Sequence, residues 1–249
     1  MEHTPKRGII LSGAAQAAVR PWAGNPSRAF LMISGSHSPD TELPGPEVLN
    51  GWLSTMTRWG YGSVRTSAMS PEAAVALGDV GFQPAQDLVV LRLKHLVPPR
   101  YDIPYDVAPK PTRFLRRRTA VINTVLEIDR LAFGAEWHLD EETFQDALKA
   151  THRVRLFTSR RNGEIEGFVL VGATGQTGFI QRLAVHPDAR RTGAASRLIA
   201  AAVEWSFRAG CTNTVVNTEA SNEPALGLYR SIGFTDMNHG LTVLERSLS

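Results

Sequence analysis

The chain has 249 residues, 43% of them apolar, with 27 Lys and Arg against 24 Asp and Glu for a formal charge of +3. That size fits one large or two modest domains with an ordinary core, and so small a charge excess argues against a nucleic-acid surface. No window reaches the apolar length of a membrane span, MEHTPKRGIILSG is too short an apolar run for a signal peptide, and the single Cys211 excludes an internal disulfide or a cysteine-based zinc site, so a cytoplasmic protein without bound metal is expected.

Three short strands are expected at Gly8 to Leu11, Ala17 to Val19 and Ala29 to Ile33, followed by a Ser/Pro/Gly-rich loop over Ser36 to Pro46. Leu49 to Trp59 reads as a helix and Ser63 to Ser67 as a strand. Ser70 then caps a second helix with Pro71 in its tolerated first position. QDLVVLRL (Gln86 to Leu93) is a strong strand. Val97 to Pro111 holds prolines at 98, 99, 104, 109 and 111 and marks a linker. Domains are accordingly expected at 1–97 and 113–249, joined by 98–112.

After the linker, Val121, Val125, Ile128 and Ala132 form an apolar helical stripe over Ala120 to Phe133, and Gly134 to Leu139 reads as a loop. Asp140 caps a further helix with Phe144, Ala147 and Leu148 inward. Val154 to Arg160 and Ile165 to Val171 flank Asn162-Gly163, a strong hairpin signal. The arginine clusters at Arg113 with Arg116 to Arg118, and at Arg160-Arg161, read as solvated faces. Thr214 to Thr218 is another strand, Asn222 caps a helix that Gly233 ends, and Leu241 to Arg246 closes the sheet. The result is a mixed α/β fold, one sheet with helices on its faces.

The most informative stretch is IQRLAVHPDARRTGAASRLIAAAVEWSFR (Ile180 to Arg208). Its first residues form a buried strand ended by His186-Pro187-Asp188, and Ala195, Leu198, Ile199, Ala202 and Val203 make the stripe of a long helix. Between them lies Arg190-Arg191-Thr192-Gly193-Ala194-Ala195. Small residues at a helix start let backbone N–H groups press on an anion, which the helix dipole favours, and two arginines add charge-assisted contacts. The string lacks both the Gly-Lys-Ser/Thr end of a nucleotide P-loop and the three glycines of a dinucleotide fingerprint. A different diphosphate ligand is implied.

An internal echo crosses the linker. Ser70-Pro71-Glu72-Ala73 to Gly81-Phe82 aligns with Asn222-Glu223-Pro224-Ala225 to Gly233-Phe234, which suggests duplication. The first half has no arginine-glycine loop, and Leu77 stands where the second half has Tyr229, so chemistry belongs to the second half.

From about Ala120 to Leu248 the sequence resembles the GNAT superfamily of acetyl-CoA-dependent N-acetyltransferases. Arg190 to Ala195 matches its Q/R-x-x-G-x-G/A pyrophosphate loop, and Asn222 to Phe234 matches its C-terminal motif. AFGAEWHLDEETF and EASNEPALGLYRSIGF are similar to the RimI type, whereas a truncated, degenerate copy followed by an intact one resembles mycothiol synthase. The resemblance implies the GNAT acyl-CoA N-acyltransferase fold, in tandem with a truncated, degenerate N-terminal half, and acetyl-CoA as cofactor. It would be held by Leu183, Ala184 and Val185 on the strand, by Arg190, Arg191, Thr192, Gly193, Ala194, Ala195 and Ser196 at the loop and helix start, and by Asn222 and Tyr229.

In that reading an amine attacks a thioester, a strand N–H holds the developing oxyanion, and Tyr229 returns a proton to the leaving thiolate. The family's carboxylate bases fall here at Asn217 and near Gln181, neither ionisable. Glu219, on the same strand face as Asn217, is the first candidate base, with His186, His138 or a water relay as alternatives. Phe133, Trp137 and His138 are the candidate acceptor pocket. A protein or peptide amine is the first-choice acceptor, a small-molecule amine the second, and acyl-CoA binding without turnover the third. Monomer and homodimer both remain open, and no nucleic-acid or membrane partner is expected.

Overall fold

The computed structural model describes residues 6–33, 43–99, 109–112 and 119–248. Arg113 and Arg116 to Arg118, and most of the proline-rich 98–112 stretch, lie outside the described residues. Two compact units result: Met1–Val90 with Thr218–Glu223 and Met237–Ser249, and Leu91–Asn217 with Pro224–Asp236. These interleaved units differ from a division at the proline-rich stretch, because strands from each half of the sequence take places in the other's unit.

In the first unit β1 (Gly8–Ser12), β2 (Ala15–Trp22) and β3 (Asn25–Ile33) form an antiparallel meander. Helix α1 (Pro46–Arg58) leads to β4 (Ser63–Thr66), which pairs in parallel with β3. Leu49, Trp52, Leu53 and Met56 recur at one-turn spacing along α1, and this stripe packs with Val19, Leu31 and Val64 of the sheet. Helix α2 (Pro71–Gly78) starts as its sequence predicts, Ser70 Oγ accepting from the Ala73 N–H at 3.2 Å. It delivers Leu77 to the same core and is followed by β5 (Gln83–Lys94).

The sequence placed Leu241 to Arg246 as the closing strand of the second half. Instead β12 (Leu241–Ser247) lies antiparallel to both β4 and β5 in the first unit. The reason is local. Leu244 enters the first core, and Glu245 meets Arg65 at 2.7 Å and Arg28 at 3.0 Å. In exchange, the end of β5 (Leu91–Lys94) belongs to the second unit.

The second unit is built on β6 (Lys110–Pro111), α3 (Thr119–Trp137), α4 (Glu141–Lys149), β7 (Arg153–Arg161), β8 (Glu164–Thr174) and β9 (Thr177–Val185). There follow α5 (Ala194–Arg208), β10 (Asn213–Glu219), α6 (Glu223–Ile232) and β11 (Thr235–Asp236). Asn162 and Gly163 both take positive φ, 52° and 86°, and close the β7–β8 hairpin as the sequence predicted. On one sheet face, Ile122, Val125 and Ile128 of α3 join Phe144, Leu156, Phe168, Leu170 and Ala184. Alternation sends Val169 and Val171 of β8 to the opposite face, and α5 packs on β8 and β9 with Leu198, Ile199, Ala202 and Val203 buried.

The expected loop at Gly134 to Leu139 is shorter than the sequence suggested. Helical turns continue to Trp137 across a break at Gly134, whose φ of 72° and ψ of −178° suit a residue without Cβ. Asp140 then caps α4 in a reciprocal pair with Thr143.

Candidate functional site

Strand β9 pairs with β8 along its whole length, but with β10 only at Thr177, Gly178 and Phe179. The two parallel strands share this short register and then diverge. Ile180 to Val185, which include the predicted Leu183, Ala184 and Val185, therefore lie beyond the β10 register. A shift in register between Leu170 and Val171 leaves Gln181 as the extra residue of β9, and such bulges re-aim side chains beside sites. Gln181 Nε2 reaches Thr151 Oγ1 at 3.4 Å, and its Oε1 is buried without a hydrogen-bond partner among the described residues.

The chain leaves β9 through a single 3-10 turn (Pro187–Ala189) and enters α5 through Arg190, Arg191, Thr192 and Gly193. Arg191 takes a φ of 62° and Gly193 one of 79°, two left-handed residues in one short loop. For arginine that conformation is strained, and strain of this kind collects where backbone is shaped for a ligand. Helix α5 has no side-chain cap at Gly193, so the amides of Ala194, Ala195 and Ser196 begin the helix without one. Arg190, Arg191, Gly193 and Ser196 are exposed, while Ala194 is buried against the sheet. Small residues, helix-start amides and two exposed guanidinium groups are therefore gathered in this loop and the first turn of α5.

Beneath the loop lies a cluster that sequence reasoning missed. Glu166 of β8, 6% exposed, accepts from the Ser159 hydroxyl at 2.7 Å and from Arg197 Nη2 at 3.0 Å, and faces Arg161 Nε at 3.2 Å. Arg161, read from the sequence as part of a solvated face, thus serves a buried carboxylate. Arg197 Nη1 also donates to the Thr192 carbonyl at 3.0 Å, and the Thr192 hydroxyl donates to the Ala189 carbonyl at 2.8 Å. The cradle is therefore held from below by its own helix.

Tyr229 of α6 is 5% exposed, with its ring 5.6 Å from that of Phe234. Burial pushes its phenol well above the ordinary value, so the group stays protonated. A protonated phenol is able to donate its proton to an acceptor.

Glu219 ends β10 and accepts weakly from Ser221 Oγ at 3.4 Å; Asn222 Nδ2 donates to Thr218 Oγ1 at 3.2 Å. Both belong to the first compact unit, whereas the cradle, β9, Tyr229 and the 133–138 segment belong to the second. Asn217 is exposed. His186 Nδ1 accepts from the Asp188 N–H at 3.3 Å, and His138 Nδ1 lies 2.9 Å from the Ala135 carbonyl.

Phe133 and Trp137 are organised by a second unforeseen pair. Arg182 of β9 grips Asp129 of α3 with two hydrogen bonds, Nε to Oδ2 at 2.6 Å and Nη2 to Oδ1 at 2.9 Å, and its guanidinium lies 3.4 Å above the Phe133 ring. A visible signal existed: Asp129 follows Ile128 inside the apolar stripe, and Arg182 interrupts an apolar strand. Among the described residues no cluster of His, Cys, Asp or Glu could hold a metal, and no helix is long and apolar enough to cross a membrane.

Residues 122–234 match the model of the acetyltransferase (GNAT) family. The fold agrees. A GCN5-related N-acetyltransferase from Sphaerobacter thermophilus superposes with a TM-score of 0.62 at 18% identity, over 94% of this chain and 77% of that one. One from Kribbella flavida gives 0.61 at 14% identity, over 96% and 89%. A tandem GNAT protein from the clavulanic acid biosynthesis pathway gives 0.66 at 12% identity, over 97% and 82%.

Proposed function

We infer from the match over 122–234 and the mixed α/β fold shared with GNAT proteins that this segment is a GNAT acetyltransferase domain. We propose that the chain transfers an acetyl group from acetyl-CoA to a primary amine, with a protein N-terminus or other peptide amine as first-choice acceptor. The observation that carries this reading is the uncapped, exposed start of α5 directly after a strand that has parted from its parallel neighbour. Acetyl-CoA supplies a thioester whose carbonyl is open to a neutral amine.

In this reading the amides of Ala194 to Ser196, with Arg190 and Arg191, bind the diphosphate. Thr192 and Gly193 shape the loop. The main chain of Leu183 to Val185 aligns the acyl arm, and one of its N–H groups stabilises the oxyanion, a role worth a few kcal/mol. Tyr229 returns a proton to the departing sulfur, and Asn222 assists cofactor binding. Glu219 is the first-choice base, and a water relay that needs no side-chain base is the alternative. Phe133, Trp137 and His138 line the acceptor side.

Within this proposal the first half, 1–97, is a degenerate copy joined by 98–112 to a catalytic domain, 113–249. Support comes from the repeated strand–helix–parallel strand: β3, α1 and β4 echo β9, α5 and β10. A second reading, acyl-CoA binding without turnover, is favoured by the uncharged Asn217 and Gln181 where carboxylates would serve as bases. Small-molecule amines are the alternative acceptors.

One experiment separates these. Calorimetry with acetyl-CoA is followed by a thiol-release assay with a panel of N-terminal peptides, lysine peptides and aminosugars. Release with peptides supports the first reading, release with aminosugars alone the alternative acceptor. Binding without release supports the non-catalytic reading, and no binding ends all three.

A further inference from the structure

We infer that Arg182 and Asp129 form a positioning pair that sets the acceptor segment against the acyl-bearing strand; this rests on the acetyltransferase reading above. Asp129 is fully buried on α3 and meets Arg182 through both carboxylate oxygens. Each partner also holds the main chain of the segment that joins α3 to α4. Arg182 Nη2 donates to the Trp137 carbonyl at 2.6 Å, and Asp129 Oδ1 accepts from the Leu139 N–H at 2.6 Å. The guanidinium plane covers Phe133. Three contacts thus fasten residues 133–139 from both ends.

The fastening matters because of what interrupts the helix there. Gly134 breaks α3, and Asp140 starts α4 anew, so the intervening turn has no continuous helical ladder to fix it. A bidentate arginine has the planar fork and the stacking face to do so; lysine has neither. Arg182 is followed at once by Leu183, so one strand carries both the acceptor segment and the main chain assigned to the acyl arm. The pair therefore fixes the distance over which amine and thioester meet, and small errors in that distance weaken transfer.

The test compares wild type with Arg182→Lys, Asp129→Asn and Phe133→Leu, using the panel amine that gives the fastest thiol release. A positioning role predicts that the acceptor KM rises about tenfold or more for Arg182→Lys and Asp129→Asn, while the dissociation constant for acetyl-CoA stays within about twofold. Phe133→Leu, which keeps the ion pair, should show a smaller rise. Hydrogen exchange at the Leu139 amide gives an activity-independent readout: it should speed up in Arg182→Lys with no change in α5. Unchanged Leu139 exchange, or acceptor KM and acetyl-CoA affinity failing together, overturns the pair's role. Wild type that releases no thiol with any amine, yet shows the exchange change, overturns the transfer reading and with it the acceptor role, leaving the pair as a fold contact.

Discussion

Glu166 and Arg197 join the interior of β8 to the first turn of α5 through a 3.0 Å ion pair, and Arg197 uses its other terminal nitrogen to hold the Thr192 carbonyl. The shape of the 190–193 loop thus depends on a buried carboxylate. Glu166→Gln should lower acetyl-CoA affinity about tenfold. It should also reduce unfolding free energy by up to about 3 kcal/mol, the lower end for breaking a buried pair because Arg161 and Arg197 keep partial access to water. Calorimetry and urea unfolding check both; loss of stability with affinity intact would confine the pair to packing.

Gly193 tests the cradle directly. Its φ is 79°, and a Cβ there would stand 3.1 Å from Arg197 Nη1. Any side chain pays about 1–2 kcal/mol for the left-handed backbone and also crowds the guanidinium that holds the loop. Gly193→Val should abolish acetyl-CoA binding while circular dichroism remains that of a folded protein. Retained affinity would mean that the diphosphate is bound elsewhere.

Most elements were legible because local rules and tertiary packing agree. Ser70, Asp140 and Asn162-Gly163 work by chemistry confined to a few adjacent residues, and the α5 stripe needed only its own spacing. Other features depend on distant partners. Arg182 and Asp129, and Glu166 and Arg197, find each other across the fold, and no spacing rule pairs them. The placement of β12 was misread for the same reason: its alternation suits any sheet edge, and only Arg28, Arg65 and the first core select one. The splay of β9 from β10 is a property of register, which neither strand's sequence encodes alone.

Tyr229 carries a prediction in rate and one in stability. Tyr229→Phe should lower kcat about 10²-fold with acetyl-CoA affinity nearly unchanged, as loss of a general acid does. An unchanged kcat removes the role. Burial raises the phenol above its ordinary value of 10.0, so the unfolded chain ionises first as pH climbs. Stability associated with this group is whole below about pH 10 and is lost above it. The phenylalanine variant should therefore resist alkaline unfolding better than wild type, measured by the pH midpoint of circular dichroism.

His95 gives the opposite sign. Its Nδ1 lies 3.0 Å from the Cys211 carbonyl, which can only accept, so Nδ1 bears the proton and Nε2 accepts from the Thr214 hydroxyl at 3.0 Å. Desolvation lowers its pKa from 6.5, against the opposing pull of the Cys211 carbonyl. The unfolded chain then takes up the proton first as pH falls, so stability is present above about pH 6.5 and declines below it. Thermal unfolding from pH 7.5 to 5 should show a steeper fall in Tm for wild type than for His95→Gln. Parallel slopes would remove His95 from the acid response.

The C-terminal strand makes the last prediction. Val243 and Leu244 of β12 are buried, the Leu244 N–H donates to Thr66 Oγ1 at 2.9 Å, Met69 and Thr242 exchange main-chain hydrogen bonds, and Arg246 reaches the Val80 carbonyl. Glu245 is the shared partner of Arg28 and Arg65, and Arg65 in turn lies 5.2 Å over the Trp22 ring. Without this strand β4 and β5 each lose the neighbour they share, and Arg65 loses its ion pair with Glu245. Ending the chain at Asp236 should therefore remove hydrogen-exchange protection from α1, and supplying residues 237–249 as a separate peptide should restore it. Leu244→Ala, which keeps the strand, should cost about 2–5 kcal/mol in urea unfolding. If α1 in the shortened chain stays as protected as in the full one, β12 is an accessory edge and the first unit is complete without it.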